Sequence, residues 1–194
     1  MIHARGLGRD FGAKRVLRGL DFELQRSGFL VVTGPNGSGK STLLSLCAGL
    51  LVPTAGELVV EAERGEIGYV AHEPLVYREL TALENLDLFG RLYRVPERRE
   101  RVGMLLERFG LWEARRQRVS SFSRGMAQRL ALCRALLHEP TVLLLDEPYA
   151  GLDADASKLV DDLLLEQAGD ATFVVATHEP QRVRAFATEA LALA

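Results

Sequence analysis

Three short apolar runs set the frame of this chain: Phe29-Leu30-Val31-Val32, Thr141-Val142-Leu143-Leu144-Leu145 and Phe173-Val174-Val175-Ala176. Each is four or five residues long and strand-like; the second, bounded by Pro140 and Pro148, does not alternate, as expected of a central strand in a parallel sheet covered on both faces. Between Thr81 and Leu137 the pattern turns helical, with Val102, Leu105, Leu106 and Phe109 spaced i, i+3, i+4, i+7. After Pro140, strand, helix and strand alternate through 142–145, 159–165 and 173–176, the rhythm of βαβ units. Segments 1–31 and 56–70 hold strand candidates punctuated by Gly6, Gly8, Gly12, Gly19 and Gly28, which predicts an antiparallel sheet. The expected organisation is one α/β domain over 1–194. Its core, about 1–80 and 138–194, is split around a helical subdomain of about 81–137.

The first run leads into Gly34-Pro35-Asn36-Gly37-Ser38-Gly39-Lys40-Ser41-Thr42, a G-x-x-x-x-G-K-[ST] loop between strand and helix. Lysine is scarce, at Lys14, Lys40 and Lys158 only, so the Gly-Lys-Ser triplet is hard to obtain by chance. Glycines let backbone N–H groups turn around phosphate oxygens, and the helix start adds its positive end. Lys40 supplies a charge for the β and γ phosphates, and Ser41 a hydroxyl for Mg²⁺.

The second run delivers Asp146-Glu147 at its carboxyl end, where open α/β sheets place ligand-binding residues. Asp146 suits a Mg²⁺ shell, and Glu147 is placed to take a proton from attacking water. The third run ends in Thr177-His178-Glu179, with His178 within reach of a γ-phosphate or acting as a structural hydrogen bonder. Ser123-Arg124-Gly125-Met126 opens a further helix with a serine at its N-cap, a second phosphate-binding terminus. One phosphate loop with two such termini points to a second copy of the chain.

In this order the residues resemble the ATP-binding cassette (ABC) ATPases over nearly the whole chain. Phe11 with Gly12 looks like the adenine-stacking loop, 34–42 the Walker A loop, Phe122–Met126 the signature, and Val142–Glu147 the Walker B strand. Ala150-Gly151-Leu152-Asp153 looks like the D-loop and His178 the switch histidine. The resemblance implies the P-loop NTPase fold, with a parallel core sheet, an N-terminal antiparallel subdomain and an inserted helical signature subdomain. It also implies ATP and Mg²⁺ as cofactors, hydrolysis by Glu147 with His178, and Ser123, Arg124 and Gly125 reaching a partner's ATP in a head-to-tail dimer. A permease on a separate chain would supply the membrane path, with this chain cytoplasmic and peripheral on the inner face.

Two departures stand out. The signature has Arg124 where the family has its first glycine, and His72, followed by Glu73, stands where a Q-loop glutamine is expected. His72-Glu73-Pro74 and Leu80-Thr81-Ala82-Leu83-Glu84-Asn85-Leu86 are similar to the haem-exporter cassettes of cytochrome c maturation, which implies that subgroup. Leu75, Val76 and Tyr77 follow directly, as a partner groove or as core. Arg91, Arg94, Arg98, Arg99, Arg101, Arg108, Arg115, Arg116 and Arg118 make the insert basic: a solvated surface with i,i+4 pairs, or a docking face.

Composition changes this picture little. The 194 residues, 47% hydrophobic, suffice for a core without staples, and a net charge of −2 gives no basic surface for nucleic acid. Cys47 and Cys133 fall in apolar helix patterns and read as buried free thiols. No stretch is long enough to span a membrane, and 1–5 lacks a signal-peptide core. Other ABC exporters and the non-transport iron–sulfur assembly and DNA-repair ATPases share the nucleotide motifs. A GTP-binding switch would need an N-K-x-D segment, which does not occur.

Overall fold

The computed structural model describes all 194 residues. Five parallel strands form the central sheet in the order β5-β6-β7-β3-β8: β3 (Phe29–Thr33), β5 (Ile67–Val70), β6 (Val142–Asp146), β7 (Thr172–Ala176) and β8 (Glu189–Ala192). A separate antiparallel sheet has β1 (Ile2–Phe11) between β2 (Lys14–Leu24) and β4 (Ala55–Val60). The antiparallel region is therefore narrower than 1–31 and 56–70. Its margins, β3 and β5, belong to the parallel sheet, and β3 is buried from Phe29 through Val32 because layers cover both its faces.

Side-chain alternation along the parallel strands separates two cores. Phe29, Val31, Leu143, Leu145, Phe173 and Val175 face one way, into a cluster with Leu130, Cys133 and Leu163 from the helices α4 (Arg124–Leu136) and α5 (Ala154–Gln167). Leu30, Val32, Leu144 and Val174 face the other, against α1 (Lys40–Cys47) and the antiparallel sheet. Cys47 and Cys133 are both buried and free, and burial pushes the Cys47 thiol up to about 12 and Cys133 up as well. Both are inert packing groups.

Between β5 and β6 the chain is helical, as the periodicity predicts, with α2 (Ala82–Leu92) and α3 (Arg98–Arg108) preceding α4; Val102, Leu105, Leu106 and Phe109 are all buried. The insert's arginines are ties as much as a solvated face. Arg91 and Arg98 both donate to Asp87, Arg108 reaches Glu166 of α5 at 2.7 Å, and Arg115 lies over the Trp112 ring at 4.0 Å. A one-turn helix, α6 (Pro180–Val183), follows β7, and no helix is long and apolar enough to cross a membrane.

The run 80–86 is a structural device. Thr81 caps α2 by accepting from the Glu84 amide at 3.1 Å, and the Glu84 carboxylate returns to the Thr81 amide at 2.8 Å. Asn85, with no exposed surface, accepts from the Tyr77 amide and donates to the carbonyls of Tyr77 and Thr81, all within 2.9 Å. It clamps the turn that returns from the His72 loop to α2. Asn85→Ala removes these bonds from a dry site and is expected to cost about 2 kcal/mol in denaturant unfolding; an unchanged midpoint would show that the turn holds itself.

Candidate functional site: a phosphate-loop cleft

The register of the parallel strands brings the predicted residues together. Val32 and Asp146 both pair with Ala176, so β3, β6 and β7 end at one level. The chain leaves β3 into a loop whose glycines are sterically required. Gly34 has φ 146°, and a Cβ there would come within 2.5 Å of the Leu193 carbonyl; Gly39 has φ 102°, and a Cβ would meet Leu17 at 2.5 Å. No side chain caps α1, which leaves its first N–H groups free for a ligand. The other long helices of the core, α4 and α5, are capped by Ser123 and Asp153, the latter accepting from the Ala156 amide at 2.8 Å.

A cleft of about 490 Å³ opens here, lined by Phe11, Lys14, Val16, Asn36, Gly37, Gly39, Lys40, Ser41, Thr42, His72, Asp146 and Glu147. Lys40 Nζ donates to the carbonyls of Gly34 and Pro35, which holds the ammonium across the loop at 2.8 and 3.1 Å. Phe11, half-exposed at 45%, sits at the tip of the β1–β2 hairpin with Arg9 stacked 4.5 Å from its centroid. Sequence reasoning missed Lys14 and Val16. Lys14 carried a signal in the rarity of lysine and its place three residues after Phe11.

Asp146 is 1% exposed and neither carboxylate oxygen has a hydrogen-bond partner; the buried Ser38 hydroxyl is also unpaired. Burial, joined by the Glu147 charge, raises the Asp146 pKa above its ordinary value, against the opposing pull of the Ser41 hydroxyl, His72 and Lys40. An orphaned carboxylate beside a serine hydroxyl fits a hard cation. No group of three His, Cys, Asp or Glu could hold a metal alone, so a cation here would take its other ligands from phosphate and water.

Glu147 leaves β6 in the left-handed region, φ 49°, with its amide on the Ala176 carbonyl at 2.9 Å. Its Oε2 accepts from His178 Nδ1 at 2.7 Å and from the His178 amide at 3.3 Å. An ionised carboxylate only accepts, so Nδ1 carries the proton. His178 thus meets Glu147 rather than lining the cleft, whereas His72 does line it. Arg134, which no motif flagged, is buried and donates to the Tyr69 carbonyl at the end of β5, bracing the approach to His72.

Ser123, Arg124 and Gly125 do not line this cleft; Ser123 caps α4, and Arg124 and Gly125 lie against Gly151. A Cβ on Gly125 would come 2.9 Å from the Gly151 carbonyl, and one on Gly151 would come 2.9 Å from Arg124 Cδ. The arginine in place of glycine therefore lies along Gly151 and leaves the Gly125 contact intact. Leu75 and Tyr77 are exposed while Val76 packs on the core, so the core reading holds for Val76 alone.

Fold and cleft together define a phosphate-loop nucleotide-binding domain with its acids at the strand ends. Residues 17–150 match the family model described as "ABC transporter", and the chain belongs to that family, as an ABC ATPase domain. It is 39% identical over 187 residues to the daunorubicin resistance ATP-binding protein DrrA3 of Streptomyces coeruleorubidus, covering 91% of this chain and 59% of that one. It is 36% identical over 198 residues to the aliphatic sulfonates import ATP-binding protein SsuB of Rhodopseudomonas palustris, covering 99% and 70%. The dimeric post-hydrolysis structure of the ATP-binding cassette MJ0796 bound to ADP and Pi superposes with a TM-score of 0.89 at 28% identity, covering 100% of this chain and 94% of that one. The chain spans between 53% and 62% of the length of four of the curated relatives it matches.

The raised Asp146 carries a prediction with a definite sign. The folded state binds this proton more tightly than the unfolded chain, so ionised Asp146 subtracts from stability above its folded pKa, and the penalty fades as pH falls toward the ordinary value of 3.8. Asp146→Asn is expected to stabilise the nucleotide-free protein by on the order of 1–3 kcal/mol at pH 7, with the gain vanishing in denaturant titrations below pH 4. A destabilised variant at neutral pH would show that Asp146 is satisfied in the free protein.

Proposed function

We propose that this chain is an ATP-hydrolysing subunit that drives a membrane permease carried on a separate chain. The observation that carries the reading is the phosphate-loop cleft closed by Asp146 and Glu147, with His178 Nδ1 2.7 Å from the Glu147 carboxylate. The amides of 36–42 and Lys40 bind the phosphates, and Phe11 stacks on adenine. Ser41 and Asp146 would hold Mg²⁺, which would neutralise charge on the phosphates when bound. Glu147 accepts the proton of the attacking water, and His178 orients that carboxylate and turns toward the γ-phosphate when the site closes. His72 lines the cleft and would reach toward the metal shell and the attacking water.

Signature residues that face away from their own cleft support a head-to-tail dimer, in which Ser123, Arg124 and Gly125 contact the partner's ATP and Asp153 meets the partner across the D-loop. MJ0796, described as dimeric, supports dimerisation. The permease would dock by Leu75 and Tyr77, placing the subunit on the cytoplasmic face of the membrane; no nucleic acid is expected at a net charge of −2. Haem export in cytochrome c maturation is the finer reading, resting on His72-Glu73-Pro74 and the run 80–86. Capping by Thr81 and Glu84 and clamping by Asn85 account for much of that run, and the two relatives above are named for daunorubicin resistance and sulfonate import. We take cargo to be chosen by the membrane partner.

Glu147→Gln keeps size but cannot accept a proton. Its ATPase rate should fall at least about a hundredfold with ATP binding retained and the dimer trapped in size-exclusion chromatography; wild-type turnover would remove Glu147 as the base. Phe11→Ala should weaken ATP and GTP equally, by about 1–3 kcal/mol in equilibrium binding. An ATP-selective loss would mean that the base edge is read by hydrogen bonds.

A further inference from the structure

The segment carrying His178 is tied to the turn carrying Glu147 a second time, through residues outside every motif. Glu179 follows His178 directly in the chain, and its Oε2 lies 3.6 Å from Arg182 Nε in α6. The Arg182 guanidinium stands 4.6 Å from the centroid of the Tyr149 ring. Tyr149 follows Glu147 by two residues, and its hydroxyl donates to Asp161 in α5 at 2.7 Å. The Ala150 amide donates to the Glu147 carbonyl at 2.9 Å, which closes the circuit from Glu147 through His178, Glu179, Arg182 and Tyr149.

The need for such a tie follows from the length of α6. At four residues, with no side-chain cap at Glu179, it cannot hold its own orientation, and Val183 is its one buried residue. Val183, Phe186 stacked on Phe29 just beyond it, and the Glu179 amide on Thr177 Oγ1 at 3.0 Å anchor the inner side of the turn and leave its exposed side room to pivot. A planar guanidinium against a ring that is itself pinned to α5 removes that freedom. Arg182 and Glu179 are 40% and 53% exposed, so the contacts add little to global stability, and what they fix is direction.

We propose that Arg182, seated on Tyr149, is a positioning residue that aims His178 at Glu147 and couples it to the D-loop turn at 150–153. Nucleotide-dependent movement of that turn then carries Tyr149, and with it α6 and the histidine, so closure of the dimer and orientation of the base become one event. The proposal rests on the ATPase reading for its kinetic consequence but not for the geometry.

Arg182→Met keeps the stem and removes the charge. It is expected to lower kcat about tenfold with KM for ATP within about twofold, and to leave the melting temperature within about 2 °C. Tyr149→Leu should match it, the double variant should lose no more than either single one, and Arg182→Lys should recover part of the rate. In a His178→Ala background Arg182→Met should have no further effect. An equal proportional loss in that background, or wild-type kcat in Arg182→Met, would overturn the proposal. Without nucleotide, ¹⁵N-labelled imidazole spectra should show the His178 resonances shifted in Arg182→Met, and unchanged resonances would also overturn it. A wild-type protein that does not hydrolyse ATP would sink the ATPase reading alone, while the imidazole shift still reports the tie.

Discussion

Ala176 fixes the site more than any residue that touches the cleft. It is the common partner of Val32 and Asp146 in the sheet, its carbonyl takes the Glu147 amide, and the next amide, Thr177, donates to the Val32 carbonyl at 3.1 Å. Backbone bonds are set by register, and a parallel strand buried on both faces cannot slip without exposing one core and overfilling the other. The phosphate loop, the acid pair and the histidine are therefore held at one height by main chain alone. Side chains can vary around the cleft while the vertical spacing of its chemistry stays constant.

What the cleft does with that precision is leave polar groups unsatisfied. Asp146 and Ser38 are buried without partners, α1 begins without a cap, and Glu147 sits in a conformation that a non-glycine residue occupies at an expense of about 1–3 kcal/mol. Elsewhere the same chain caps α2, α4 and α5 and buries Asn85 with every bond made. Single buried atoms without partners also occur outside the cleft, on Gln128 and His138 among others, and α3 too begins without a cap; what sets the cleft apart is that an acid, a hydroxyl and a bare helix start lack partners side by side, where a ligand can complete them.

The parallel core was legible in β6 and β7 because they are unbroken apolar runs that end in recognisable chemistry, and the cleft because its loop has a composition that few other structures need. Reading Phe29–Val31 and Ile67–Val70 as antiparallel failed because glycine punctuation looks the same on either side of a sheet boundary; only the pairing partners, far along the chain, distinguish them. Asn85 and Thr81 carried family flavour in sequence, yet their bonds are those of a capped helix and a closed turn. Arg182, Tyr149 and Arg134 were invisible because a cation over a ring or on a strand-end carbonyl has no local spacing; it exists only once distant segments are packed.

The strand order has a cost during synthesis. β3 is made early, yet its two neighbours in the sheet are β7 at 172–176 and β8 at 189–192, so a fully apolar strand and the phosphate loop behind it stay unpaired until nearly all of these residues have been made. Non-local parallel pairing of this kind closes slowly and leaves sticky edges in the interim. The nascent chain is consequently most vulnerable to aggregation and to chaperone capture while β3 waits. A chain interrupted after β6 would carry every Walker residue and still lack a place to assemble them.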